Sequence, residues 1–143
     1  MASLLFGGLS LRPKSPPQKA ISYNLFRGEY NDEDIKDLGM DSGILLPEEE
    51  LLRRGLPNNF SSLVWIMKEV YGRYGGWFSV DHYITEDENV LHLQHFMERK
   101  WSIYLSNFFT SMFKTNLDID VNVELREESV TFYISNKQIK TPN

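Results

Sequence analysis

At 143 residues, with 41% hydrophobic and 13% aromatic content, the chain is sized for one domain and has enough apolar material for a core, which excludes wholesale disorder. It has no cysteine, so disulfide scaffolds and thiolate metal sites are excluded. The net charge of −5 is uneven: residues 1–30 set Arg12, Lys14, Lys19 and Arg27 against Glu29 for +3, residues 31–50 set eight acids against Lys36 for −7, and the rest is nearly neutral, so the compact part lacks the basic face that phosphate contacts need and nucleic acid is not expected as its partner.

In chain order, residues 1–20 are expected to form a flexible basic arm, because Gly7-Gly8 and Arg12-Pro13-Lys14-Ser15-Pro16-Pro17 sustain neither helix nor central strand and favour extended polyproline geometry. Residues 21–143 are expected to form a single α+β domain. Ile21, Tyr23 and Leu25 alternate with Ser22, Asn24 and Phe26, which suggests a short strand over 21–26. The acidic stretch 31–46, with Gly39 and Gly43, suggests a connecting loop. Pro47 to Arg54 suggests a short helix, with Pro47 and three glutamates in its first turn and Arg53-Arg54 before Gly55 at its end.

A stronger helix is predicted from Phe60 to Tyr74. Asn58 or Asn59 caps it, Phe60, Leu63, Val64, Met67, Tyr71 and Tyr74 share one face, and Gly75-Gly76 ends it. Trp65 and Ile66 fall off that face, so more than one face is expected to be buried. Trp77 to Ile84 alternates and suggests a strand that places Phe78, Val80, His82 and Ile84 together. Thr85 and Glu88 then fit a capping box, and Val90, Leu93, Met97, Trp101, Tyr104, Phe108 and Met112 predict a long helix to about Lys114. The competing pattern is a hairpin turn at Thr85–Asn89, a strand over Val90–Phe96 and a helix that begins near Glu98. The C-terminal pattern has one solution. Leu117, Ile119, Val121, Val123 and Leu125, then Val130, Phe132 and Ile134, alternate with polar residues on either side of Arg126–Ser129, which predicts a half-buried antiparallel hairpin. The expected fold is thus α+β: an antiparallel sheet that includes this hairpin, with two main helices packed on one face.

No apolar run approaches the roughly 18 residues of a membrane-spanning helix. Leu4-Leu5-Phe6 is short and precedes its basic residues, unlike a secretory signal, and Ala2 stands where N-myristoylation needs glycine. An intracellular protein is therefore expected, in the host cytoplasm or the virion if it is viral.

Catalytic signatures are missing. The sequence has no nucleophile elbow, no phosphate-cradling loop and no His-Glu-x-x-His pair, and its paired acids sit at predicted caps and turns. Asp118, Asp120, Asn122 and Glu124 mimic the start of a calcium loop, but Val123 and Ser129 stand where glycine and a bidentate acid are needed, so a solvated strand face is the better account. His82, His92 and His95 are the only histidines. A metal-dependent enzyme built on them is the least favoured function, no metal or other cofactor is expected, and ordinary surface histidines are the plainer account.

Two candidate partner-binding elements remain. The first is the arm, where Arg12, Pro13, Pro16 and Pro17 form a PxxP-like peptide of the kind that aromatic grooves bind, set against the plainer account of a solvated tether. Its leucines and Phe6 give at most weak contact with a membrane surface. The second is the aromatic corner of Tyr71, Tyr74, Trp77 and Phe78, set against ordinary packing at a helix–strand corner.

The stretch from Phe60-Ser61-Ser62-Leu63 through Tyr71-Gly72 to Tyr74-Gly75-Gly76 resembles the helix of rhabdovirus matrix proteins, in which an aromatic–serine start leads into a helix that ends in a Tyr/Gly corner. A basic proline-containing arm ahead of one α+β domain is similar in plan. The resemblance implies self-association, contact with the inner membrane face and nucleocapsid contact during assembly, or a small viral accessory protein derived from such a domain. It covers the helix and its flank and carries over no functional residue. The expected function is a non-enzymatic interaction or assembly protein with protein partners, self-association included. The alternative is a structural subunit of a larger particle such as a phage tail.

Overall fold

The computed structural model describes residues 30–139. The arm, the candidate strand over 21–26 and the last four residues lie outside the described residues. Within them the fold is α+β, with three helices and a four-stranded antiparallel sheet.

Helix α1 (Asp32–Arg54) replaces the loop expected over 31–46 and absorbs the short helix expected from Pro47. Its start is set locally. Asn31 Oδ1 accepts from the Asp34 amide at 2.8 Å, Asp34 Oδ2 accepts from the Asn31 amide at 3.3 Å, and three acids occupy the first turn. Gly55, at φ 67°, ends the helix in the left-handed conformation. The glycines that suggested a loop serve a tertiary contact instead. Ile35, Gly39, Gly43, Pro47 and Leu51 recur every fourth residue and form the buried face. A Cβ on Gly39 would lie 2.6 Å from the Tyr104 carbonyl oxygen, and one on Gly43 would fall on the carbonyl of Phe108. Each glycine costs about 1 kcal/mol of helix propensity, and close backbone approach to a second helix offsets that cost.

That second helix is α3 (Arg99–Leu117). Contacts advance together along both chains, from Asp32–Arg99 and Tyr30–Lys100 to Ser111 Oγ, which donates to the Met40 carbonyl at 3.0 Å, so α1 and α3 run parallel. Helix α2 (Phe60–Trp65) starts with Asn59 accepting from the Ser62 amide, as predicted, and continues as a π-helix over Ile66–Tyr74. Its wider turn agrees with burial of Ile66 and Met67 beside Leu63 and Val64. It runs antiparallel to α3, with Phe60 stacked on Phe113 and Tyr71 edge-on to Phe108.

The sheet runs β1–β2–β4–β3, from β1 (Ser79–Ile84) and β2 (Glu88–Gln94) to β4 (Ser129–Ser135) and β3 (Asn122–Leu125). The long helix expected from Thr85 is thus corrected to the hairpin alternative. Thr85 makes the hydrogen bonds of a helix cap, since its Oγ1 accepts from the Asp87 and Glu88 amides, but it makes them inside a β-turn. The helical spacing of Val90, Leu93 and Met97 competes with the alternation of Asn89, Leu91 and Leu93, and seven-residue pairing with β4 decides for the strand. Leu91, Leu93, Val130, Phe132 and Ile134 are fully buried on the helix-covered face. The C-terminal hairpin forms, with β3 at one edge, but its first strand is shorter than expected: Leu117 ends α3, Asp118 takes the left-handed conformation, and only Asn122–Leu125 pairs with β4.

Trp77, Trp101, Tyr104, Phe108 and Phe109 form a ring cluster with contacts of 4.8–6.2 Å, and Phe109 carries it onto the sheet at Phe132, 6.0 Å away. Burial of each such side chain contributes about 2 kcal/mol or more.

Candidate functional site

The register fixes where the surface opens. Strand β1 pairs only with β2, so its other edge is unpaired among the described residues. The π-helical continuation of α2 contacts β1, and helix α2 faces the side of the strand that carries Val80, His82 and Ile84. Between them are two hollows of about 360 and 340 Å³. Lys68 and Glu69 border both, so the hollows lie end to end along β1, the first against His82 and Ile84 and the second against Ser79 and Val80. The walls are mostly apolar, with Phe60, Val64 and Trp65 from the helix and Phe78 at the far end. Trp65 is 44% exposed and carries the Arg54 guanidinium 5.7 Å from its ring centroid. Ile84 is 70% exposed.

A hydrogen-bonded chain stiffens the first hollow. His82 Nε2 lies 2.6 Å from Asn89 Oδ1, an oxygen that only accepts, so Nε2 carries the proton. Asn89 Nδ2 donates to Asn136 Oδ1, and Asn136 Nδ2 donates to the carbonyls of Thr85 and Glu86. The turn and strand edge are thereby held in one conformation.

The three histidines do not converge. His82 points to the helix side of the sheet. His92 is on the opposite face, bonded to Thr131 Oγ1 at 2.7 Å. His95 lies beyond β2, 2% exposed, between Ser102 Oγ and the Met97 amide, and burial pushes its pKa down to about 4. Neither His92 nor His95 is in a helix. Among the described residues no group of three or more His, Asp or Glu side chains is arranged to hold a metal. In the calcium-like stretch, Asp118 and Asp120 bind the Lys114 ammonium at 2.8 and 3.1 Å, and these contacts raise the Lys114 pKa.

The aromatic corner divides. Tyr71, Trp77 and Phe78 are 5%, 2% and 7% exposed and belong to the core, while Tyr74 is 90% exposed. A partner at this corner meets Tyr74, with Phe78 reachable only where it lines the second hollow. The Tyr71 hydroxyl is buried without a hydrogen-bond partner among the described residues, and the buried Tyr104 hydroxyl lies beside Ser42. Burial raises both phenol pKa values, that of Tyr104 to about 12, and Glu50 adds to the rise at Tyr71. Arg12, Pro13, Pro16 and Pro17 lie outside the described residues. Sequence reasoning missed the trough residues Lys68, Glu69 and Ile84; the one available signal was Trp65, a large side chain off the predicted core face.

An unpaired strand edge and two hollows thus occur together at β1 among the described residues. No helix of the described residues is long and apolar enough to cross a membrane. No protein-family model matches the chain, and no curated protein sequence is similar to it.

Proposed function

We infer that the chain is a non-enzymatic interaction and assembly protein, used in a matrix-like way, whose principal contact surface is the trough along β1. The observation that carries this reading is the unpaired β1 edge beside two apolar hollows. An exposed strand edge offers backbone donors and acceptors to an added strand, and flanking hollows select side chains at alternate positions. Trp65 and Ile84 are the exposed anchors, and aromatic anchors of this kind dominate binding energy. The likeness of Phe60–Gly76 to a matrix-protein helix supports an assembly role for this element.

The test is co-purification of the full chain with its native complex, run in parallel with the Trp65→Glu and Ile84→Asp variants. Both substitutions are expected to abolish association while leaving the melting temperature within a few degrees. Undiminished association of both variants, or a catalytic turnover by the isolated chain, overturns the reading.

A further inference from the structure

Away from the trough, α1 presents a second surface. Met40 and Ile44 are about 40% exposed, Leu45 55% and Leu52 76%. Their spacing places Met40 and Ile44 on one flank of the exposed side of the helix and Leu45 and Leu52 on the other, with Asp37, Asp41 and Glu48 between them. Glu33, Asp37, Asp41, Glu48 and Glu49 are exposed around them, and among the described residues none of these five has an ion-pair partner. The ion pairs of α1 use Asp32 and Glu50 instead.

The complementary charge lies in the same chain. Residues 1–30 carry +3 against −7 over 31–50, with the remainder near neutral. The segment from Arg12 to Arg27 interleaves Arg12, Lys14, Lys19 and Arg27 with Ile21, Leu25 and Phe26. Gly28 follows, three residues before the Asn31 cap. Helix α1 is roughly 34 Å long at about 1.5 Å per residue. An extended stretch covering residues 12–29 spans about 55 Å, which is enough to fold back along all of it.

We propose that residues 12–27 dock in cis along the exposed side of α1, with apolar side chains among Ile21, Leu25 and Phe26 against Met40 and Ile44 and the basic side chains over the unpaired carboxylates. Tethering keeps the arm at an effective concentration on the order of millimolar, so contacts too weak to hold a free peptide still populate the docked state. Attraction between exposed charges is screened by salt, so the arm leaves the face as ionic strength rises. A phosphate on Ser15, next to Pro16, would remove up to about two positive charges' worth of attraction and favour the undocked state.

The experiment uses the full chain with Ala20→Cys as the sole thiol, carrying a nitroxide, and reads amide line broadening in isotopically labelled protein. Amides from Met40 to Glu49 are expected to broaden at least twofold more than those of β3 at low salt. The excess should vanish at about 0.5 M salt and in the Asp41→Lys/Glu48→Lys variant, whose remaining amide spectrum reports an intact fold. Broadening spread evenly over the surface, or unchanged by salt and by charge reversal, overturns the proposal. Broadening seen only between differently labelled molecules assigns the face to a second copy and also overturns it. So does its absence where an added Lys/Leu amphipathic peptide shifts the same α1 amides. None of these results touches the β1 trough, so the two readings fail separately.

Discussion

Along the α1–α3 seam two glycines let one backbone rest on another, whereas between α2 and β1 large side chains stand apart and leave an open trough. The first junction leaves no space for a methyl group at Gly43, and the second leaves hollows of about 360 and 340 Å³. The seam is assembled from residues with poor helix propensity, and its contact energy depends on atoms that meet only in the tertiary structure. The trough is bordered by Trp65, Lys68 and Ile84, which the fold does not need for its core. Close packing and open surface are thus divided between the α1–α3 seam and the α2–β1 junction.

The sharpest way to break this division is to thicken the seam. Gly43→Leu is expected to cost about 3 kcal/mol or more, because the new side chain collides with the backbone of Phe108 and not with a movable side-chain tip. Gly39→Ala should cost less, about 1–3 kcal/mol, against the Tyr104 carbonyl at 2.6 Å. Denaturant unfolding at constant m reads both. A stable, unchanged Gly43→Leu protein would show that the parallel α1–α3 contact is wrong.

Acid tests the junction between β2 and α3. His95 is held neutral, accepting from the Met97 amide through Nδ1 and lying 2.7 Å from Ser102 Oγ through Nε2. Ser102 passes the contact on to the Glu127 carbonyl, so one imidazole ties the β2–α3 loop to the β3–β4 turn. Its folded pKa of about 4 lies below the unfolded value of about 6.5. The unfolded chain therefore binds the proton more readily. Stability is fully present above about pH 6.5 and is lost as pH falls toward 4. The loss attributable to this residue is about 1–2 kcal/mol, discounted from the full linkage value for solvent access near the loop. His95→Gln should flatten the stability profile across that window, and a profile identical to wild type would remove His95 as its source.

Smaller effects separate local signals from the trough. Asn59→Ala removes the cap on Ser62 and is expected to cost about 1 kcal/mol in thermal unfolding. Ile84→Ser, at a side chain 70% exposed, should change stability by no more than about 0.5 kcal/mol while weakening any partner seated on β1. A large stability loss at Ile84 would mean that the trough belongs to the core and would erase the comparison.

Legibility in the sequence followed the range of the interaction. The C-terminal hairpin and the helix from Phe60 announce themselves through periodicity, a cap at Asn59 and the Gly75-Gly76 stop, all within a few residues. Residues 85–97 carry both a helical and an alternating pattern, and Thr85 makes the same short hydrogen bonds in either. At residues 31–46 the glycines gave the opposite signal to their role. Of the candidate site, only the off-face position of Trp65 was visible, because an unpaired edge is a property of strand order.

The amino-acid sequence by itself determined the class of fold, the helix from Phe60 and parts of the other two, the terminal hairpin and the separation of a basic N-terminal stretch from an acidic one, since these depend on side-chain pattern, capping chemistry and charge carried by neighbouring residues. The tertiary structure alone decided that Gly39 and Gly43 are helical, that Glu88–Gln94 is a strand, and that β1, among the described residues, ends the sheet beside a hollow. In each case the deciding partner, α3 for the glycines and β4 for the strand, is supplied by residues dozens of positions away.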